Sequence, residues 1–478
     1  MIYKKIKQYA NQFPDKTAVV SGREVINYKR LLLETNRIVD WIECISDSPS
    51  QPIGSLFPNS IEAILVLLAC EASGHPCVLF SMNMSETEIL HRASILGLKH
   101  IFFQKGLGSV PISKEINFRE RRLYYAQLYI TEPSLLEKQD FICQFTSGTN
   151  QAVKAAVRTK EGVYHEIEEL KEIFEVRSED VFLTLPPICH SYGLIGGTLL
   201  PLYSGATVIF MEDFRPRDAL KIILKEQVSI LFAVPFMYQL FVDTHTSHLS
   251  FHTLRICCSA GEFMSQDLST QVETLLGQPV VQDYGSTETG TISINRNPQD
   301  YPNSVGRPLE NHNIMILDAT EHNPIPLEKE GEIWIKGDMV ARAYLYPLEM
   351  NKTSFLNGAY FTGDMGWMDK NGYLYISGRK SRFINIAGLK VDPREIEDVI
   401  KKMPEIREVL ITAETGKATQ MIKAIVVKKQ DIDANHIVSH CKKYLPYHKI
   451  PRIINFVEAL PQNSMGKIID RNESETQC

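Results

Sequence analysis

Thr146-Ser-Gly-Thr-Asn-Gln-Ala-Val-Lys154 sets hydroxyls, a glycine and a lysine directly after the apolar run Phe141–Phe145. Such a loop suits a polyphosphate: backbone N–H groups and hydroxyls donate to the phosphate oxygens, and the lysine adds positive charge. It is not a Walker loop, because the glycine–lysine spacing of that motif is absent. Taken alone, such a loop is more often a Ser/Thr-rich surface turn, so its meaning depends on what accompanies it. Four further stretches set functional side chains beside glycine: Leu185-Pro-Pro-Ile-Cys-His-Ser-Tyr-Gly-Leu194, Val280-Val-Gln-Asp-Tyr-Gly-Ser-Thr-Glu-Thr-Gly290, Tyr360-Phe-Thr-Gly-Asp364 and Leu460-Pro-Gln-Asn-Ser-Met-Gly-Lys-Ile-Ile-Asp-Arg471.

The elements that must position these residues are those of an α/β protein. Short apolar runs (Ala18 to Val20, Gly54 to Phe57, Val181 to Leu185, Thr207 to Phe210, Ile230 to Val234, Leu254 to Ser259) alternate with helical stretches such as Lys160 to Phe174 and Pro216 to Glu226. That alternation predicts layered sheets with much parallel pairing. From about Asn303 to Ile376 the chain turns rich in Gly, Pro and short strands, predicting a β-rich subdomain. After Arg379 it reads strand (Phe383 to Ile386), helix (Pro393 to Met403), strands (Val409 to Ala413, Met421 to Val427), helix (Ile432 to Tyr444) and strand (Ile453 to Val457). A large domain over 1–379 and a small α/β domain over 380–478 are expected; 478 residues exceed what one compact core holds.

Composition excludes several classes. Hydrophobic content of 44% and charged content of 23% describe a globular chain, not a disordered one. A net charge of -6 gives no reason to expect nucleic acid or an anionic membrane as partner. The start, Met1-Ile2-Tyr3-Lys4-Lys5, predicts no signal peptide, and the most apolar stretch, Ala63 to Cys70, is too short to span a membrane. Nine cysteines at irregular positions, without a CxxC pair, predict reduced thiols in a cytoplasmic protein and neither disulfides nor a zinc site.

In order and spacing these motifs resemble, over essentially the whole chain, the ANL superfamily of adenylating enzymes: acyl- and aryl-CoA ligases, nonribosomal-peptide adenylation domains and firefly luciferase. Weaker matches near the start are Phe13-Pro-Asp-Lys-Thr-Ala18 and Asn27-Tyr28. The family's phosphate loop is TSGTTGxPKG. Thr146, Ser147, Gly148, Thr149 and Lys154 are kept, whereas Asn150, Gln151, Val153 and Ala155 replace Thr, Gly, Pro and Gly. Loss of a glycine with positive φ carries a cost, so an altered phosphate grip is expected.

The resemblance implies roles residue by residue. Tyr284 stacks on adenine, Gln282 lies near its exocyclic amine, and Gly261 and Glu262 form the flanking turn. Thr287 bonds phosphate or carboxylate oxygens and Glu288 holds Mg²⁺, an ion that needs few carboxylates beside phosphate and water. Asp364 accepts both ribose hydroxyls, Arg379 contacts ribose or phosphate, and Gly388 lines the tunnel of the incoming thiol. Ser381 stands at the hinge, where Asp or Lys is usual. Lys467 is the adenylation lysine, stabilising charge on the transferring phosphate and pyrophosphate.

His190 takes the place of the aromatic gate between acid pocket and thiol tunnel; an ordinary loop histidine is the competing reading. Ser191, Tyr192, Ile195, Asp283, Gly285, Thr291 and Ile292 fall at the acid pocket. Ser191 stands where amino-acid activators carry Asp and hydroxybenzoate activators Asn, disfavouring both substrate types. Asp283 either binds a substrate hydroxyl or remote amine, or points away and caps local backbone. The expected reaction is ATP-dependent formation of an acyl-AMP from a small or medium carboxylic acid, aryl or functionalised aliphatic. Transfer to a thiol follows, with the small domain rotating between the two steps. The expected acceptor is CoA, and two alternatives stay open: a loader of phosphopantetheine on an acyl or aryl carrier protein, and a nucleotide- or acyl-binding protein with little catalysis.

Overall fold

The structure is a computed structural model and describes residues 1–46, 48, 51–104, 107–118, 121–147, 153–211, 213–244, 250–318, 320–379, 384–386, 389–415 and 420–460. The chain forms two compact units. The first gathers Met1–Met315, Trp334–Thr362 and Met368–Tyr375, and the second Ile316–Ile333, Gly363–Trp367 and the chain from Ile376 onward. Two stretches that the sequence places in the large domain, Ile316–Ile333 and Gly363–Trp367, thus belong with the second unit.

In the first unit the alternation of strand and helix builds two sheets. One runs in the order Ser304–Pro308, Gly290–Asn295, Val280–Ser286, Ile256–Ser259, Ile230–Ala233, Val181–Thr184, Thr207–Phe210, Thr17–Ser21 and Glu24–Asn27. From Val280–Ser286 to Thr17–Ser21 every neighbouring pair is parallel. Parallel neighbours require crossover connections, and helices such as Pro216–Lys225 and Gln266–Leu276 supply them. The other sheet runs Ala343–Tyr346, Val153–Thr159, Asp140–Ser147, Cys77–Phe80, Ile53–Leu56, His100–Phe103, Arg121–Gln127 and Lys114–Phe118.

One core takes side chains from both sheets, including Val19, Phe182 and Phe210 from the first and Ile53, Leu79 and Phe102 from the second, together with the helix Ile61–Ser73. That helix contains the most apolar stretch of the sequence and buries ten consecutive residues, Ile61 to Cys70. A helix apolar on every side has no face to offer water, and each buried Leu, Ile or Val contributes roughly 1.5–3 kcal/mol. Its ends are fixed locally. The Ser60 side chain accepts from the Ala63 N–H, and Gly74 closes the helix at φ +85, a conformation that favours glycine. No helix among the described residues is long and apolar enough to cross a membrane. The eight described cysteines are free thiols.

Topology also decides where the candidate segments fall. Open α/β sheets present ligands outside the carboxyl ends of parallel strands. The loop to His190 leaves Val181–Thr184, Gly261 and Glu262 follow Ile256–Ser259, and Tyr284 lies near the end of Val280–Ser286.

The second unit carries its own sheet, with Ile406–Thr415 antiparallel to Gln420–Lys428 and the latter parallel to Ile453–Val457. Helices Pro393–Lys401 and Ala434–Tyr444 supply Ile396, Ile400, Ile437 and Cys441 to a core with Val409 and Ile422. The first helix opens on Asp392, whose side chain accepts from the Arg394 N–H, with Pro393 in the first turn. It ends at Lys401, short of the expected Met403.

Candidate active site

The phosphate segment is a hairpin. The strand expected to stop at Phe145 runs through Ser147, the return strand begins at Val153, and Thr146 pairs with Lys154 across the ladder. Lys154 therefore lies on a strand, not on a loop. Gly148 and Thr149 lie outside the described residues, as do Gly388, Ser381 and Lys467. Ala155, where the family has glycine, pairs with Phe145 on one side and Tyr346 on the other.

The Val280–Ser286 strand turns into Gly290–Asn295, and the turn holds Thr287 half-buried and Glu288 buried. Two glycines make this hairpin tight. A Cβ on Gly285 would come within 2.3 Å of the Gly290 carbonyl oxygen, and Gly290 adopts φ +67 with Glu166 Oε2 2.4 Å from where its Cβ would stand. Within the turn the Ser286 N–H donates to Thr289 Oγ1 (3.1 Å), and beyond it the Thr291 N–H donates to Glu166 Oε1 (2.9 Å).

Glu288 is where the segments converge. Its Oε1 accepts from the Thr146 hydroxyl at 3.3 Å and from the Tyr344 hydroxyl at 2.6 Å. The Lys154 ammonium donates to the same Tyr344 oxygen at 3.3 Å and lies 4.7 Å from its ring centroid. Burial and the Glu288 charge raise the Tyr344 phenol well above its ordinary pKa, so it remains a protonated donor. Tyr344 is absent from the residues that sequence motifs single out; its only signal was an aromatic in the short strand Ala343–Tyr346.

The nucleotide candidates lie on neighbouring strand ends. Gln282 is buried, with Nε2 donating to the Met264 carbonyl at 3.4 Å, and Tyr284 is half-buried. Gly261 holds φ +89 and Glu262 is exposed. Asp364 and Arg379 belong to the second unit and pair there, Arg379 Nε donating to Asp364 Oδ1 at 2.9 Å.

The acid-pocket candidates lie on the segment 190–195 and on the strands Val280–Ser286 and Gly290–Asn295, and of them Asp283 and Thr291 are in direct contact. His190 is the N-cap residue of the short helix Ser191–Leu194, and burial pulls its imidazole down to about 4. It is therefore neutral near neutrality. Ser191 Oγ is buried without a hydrogen-bond partner, and the Tyr192 hydroxyl donates to the Ala233 carbonyl at 3.3 Å. Ile195 is buried and opens a π-helical turn, Ile195–Leu199, a form enriched at functional sites. Ile292 is buried on the facing hairpin. Asp283 does not cap backbone through the contact seen; its Oδ2 accepts from the Thr291 hydroxyl at 3.2 Å. Burial first, and the charge of Glu166 second, push this carboxyl up to about 8.

The residues present fit a nucleotide-bound Mg²⁺. Such an ion takes one or two carboxylates and fills its shell with phosphate oxygens and water. Glu288 offers that carboxylate, oriented by two hydroxyls, with Lys154 hydrogen-bonded to one of them.

A large α/β unit that brings the Thr146–Lys154 hairpin against the buried Glu288, beside a second, smaller unit, has the make-up of an adenylate-forming enzyme, an AMP-forming acid–thiol ligase by class. The chain belongs to the AMP-binding enzyme family: the family model of that description matches residues 6–345, and that of the AMP-binding enzyme C-terminal domain matches 395–467. It is 26% identical over 506 residues to a probable CoA ligase of Humulus lupulus (98% of this chain, 95% of that protein). It is 25% identical over 467 residues to the 2-succinylbenzoate–CoA ligase of Lactococcus lactis (97% and 98%). The o-succinylbenzoate CoA synthetase of Bacillus subtilis, solved with its acyl-adenylate, superposes with a TM-score of 0.84 at 23% identity, covering 99% of this chain and 98% of that one. The likeness to that structure concerns the fold.

Proposed function

We propose that the chain joins a carboxylic acid to AMP with release of pyrophosphate and then transfers the acyl group to the thiol of CoA. One observation carries this reading: two motifs more than a hundred residues apart converge on Glu288, Thr146 by a direct hydrogen bond and Lys154 through the buried Tyr344 phenol. In the first step the acid's carboxylate attacks the α-phosphate. Lys154 and the backbone of 147–153 hold the phosphates, Thr287 orients the reacting oxygens, and Lys467 stabilises the charge that builds on phosphate and pyrophosphate. Mg²⁺, when bound, neutralises phosphate charge, and Glu288 would hold it. Tyr284, Gln282, Gly261 and Glu262 would seat adenine; Asp364 and Arg379 would seat ribose, their mutual ion pair presenting the carboxylate in a fixed orientation.

In the second step the small domain, 380–478, turns so that the Gly388 loop lines the thiol path and His190 guards the acid. A neutral His190 suits that place, since a charged ring beside a mixed anhydride would draw water. Reuse of one cleft keeps the adenylate dry between the steps. The acid is small or medium, aryl or functionalised aliphatic. Two relatives are named for functionalised acids, the 2-succinylbenzoate ligase already described and the oxalate–CoA ligase of Arabidopsis thaliana, 25% identical over 500 residues. Ser191, Tyr192, Ile195, Asp283, Gly285, Thr291 and Ile292 would form its pocket. Free thiols throughout the described chain fit a cytoplasmic setting.

ATP–pyrophosphate exchange across aryl, fatty, hydroxy and diacid panels tests the first step. Exchange that depends on one acid class is expected; silence across the panel with ATP still bound overturns the reading. Transfer assays with CoA and with a phosphopantetheinylated carrier protein then assign the acceptor, and a product with the carrier alone excludes CoA.

A further inference from the structure

We propose that Tyr344 is a positioning residue that holds Lys154 and Glu288 aimed for the phosphates and the metal of ATP, a role that rests on the adenylation reading above. The phenol oxygen stands between an ammonium and a carboxylate. It accepts from Lys154 at 3.3 Å and donates to Glu288 at 2.6 Å. One hydroxyl thus fixes the direction of both the ammonium and the carboxylate. The ring and oxygen hold the Lys154 ammonium, and the phenol proton holds the Glu288 oxygen that would face the cation.

The fold builds this residue in firmly. Tyr344 is wholly buried and pairs with Ala156, two residues from Lys154, and side chains two apart on a strand share a face. Asn351 clamps its backbone: the Tyr344 N–H donates to Asn351 Oδ1 and Asn351 Nδ2 donates to the Tyr344 carbonyl, both at 2.8 Å. Its ring lies edge-on to Phe355 at 5.4 Å, and its hydroxyl is 3.1 Å from that of Tyr360. Groups that orient a metal-binding carboxylate from behind typically change metal affinity about 10–100-fold when removed.

The test is calorimetric titration of ATP at a series of free Mg²⁺ concentrations, with thermal unfolding measured alongside. Tyr344→Phe keeps the ring and its stack on Lys154 but removes the shared oxygen. The Mg²⁺ concentration that half-supports ATP binding is expected to rise about 10-fold or more, and ATP binding with Mg²⁺ chelated is expected to weaken by a smaller factor, because the ring still holds Lys154. Tyr360→Phe removes a neighbouring hydroxyl yet leaves the Glu288 bond, so its Mg²⁺ dependence is expected to match wild type. Should Tyr344→Phe not fold, Asn351→Ala releases the clamp while keeping the phenol, and a shift in the same direction is expected. An unshifted Mg²⁺ dependence in Tyr344→Phe, or in Asn351→Ala where that variant must serve, overturns the role, as does an equal shift in Tyr360→Phe. Loss of pyrophosphate exchange in wild type with these binding results intact would sink the adenylation reading alone.

Discussion

Arg158 and Glu166 form an ion pair 2.7 Å long with 1% and 3% of their side chains exposed, and Glu166 uses its other oxygen to hold the Thr291 N–H at 2.9 Å. The pair joins the return strand of the phosphate hairpin to the hairpin that carries Glu288. Buried pairs are costly to break because the survivor keeps an uncompensated charge. Glu166→Ala is expected to lose about 3–5 kcal/mol in urea unfolding, and Glu166→Gln, which keeps an acceptor for Thr291, somewhat less. Equal stability of Glu166→Ala and wild type would mean the site tolerates a lone arginine.

His190 offers a test in the pH profile. Its imidazole, pulled down to about 4 by burial, is neutral at ordinary assay pH and has no proton to lose there. A histidine with a lowered folded pKa disfavours the folded state only as pH falls toward and below its ordinary value. Replacement by Phe is therefore expected to leave the pH dependence of thioester formation unchanged between about pH 6 and 8. Loss of an ionisation in that window in His190→Phe would show that the ring titrates and works as a base.

Much of the candidate site is marked in the sequence because its motifs are contiguous. A hydroxyl-rich loop after an apolar strand, or Tyr284 to Glu288 beside glycines, carries its chemistry within a few residues. Strand positions followed from the same local patterns, with ends off by a residue or two, as for the phosphate strand running on to Ser147. Tyr344 was not legible. It reaches Glu288 across 56 residues and Lys154 across 190, and nothing in its own strand marks it. Glu166 was equally silent, since on a helical pattern it reads as a solvated charge. The assignment of Ile316–Ile333 and Gly363–Trp367 to the second unit depends on tertiary packing that local periodicity does not encode.

Lys467→Ala separates the two half-reactions. If the lysine acts only where charge builds on phosphate, its loss slows adenylation by roughly 10²–10³, the scale seen when one charge-stabilising donor is removed. Thioester formation from a supplied acyl-adenylate is expected to be nearly unaffected. Single-turnover measurement of each step checks this, and an undiminished adenylation rate would remove Lys467 from the mechanism.

Asp283 gives the sharpest pH prediction. Its carboxyl is held at about 8 in the folded chain against an ordinary 3.8, because burial and Glu166 disfavour the anion while the Thr291 hydroxyl only partly supports it. Between those values the unfolded chain has released a proton that the folded chain still holds, so stability falls as pH rises from about 4 to about 8 and then levels. Asp283→Asn keeps the shape and a partner for Thr291 but cannot ionise. The variant is expected to gain stability over wild type steadily through that range and to converge with it toward acid pH. Urea unfolding at a series of pH values checks the divergence; parallel curves would mean Asp283 is already ionised in the fold. The same variant, assayed across the acid panel, asks whether a neutral donor here selects the substrate. An unchanged ranking of acids would confine Asp283 to its bond with Thr291.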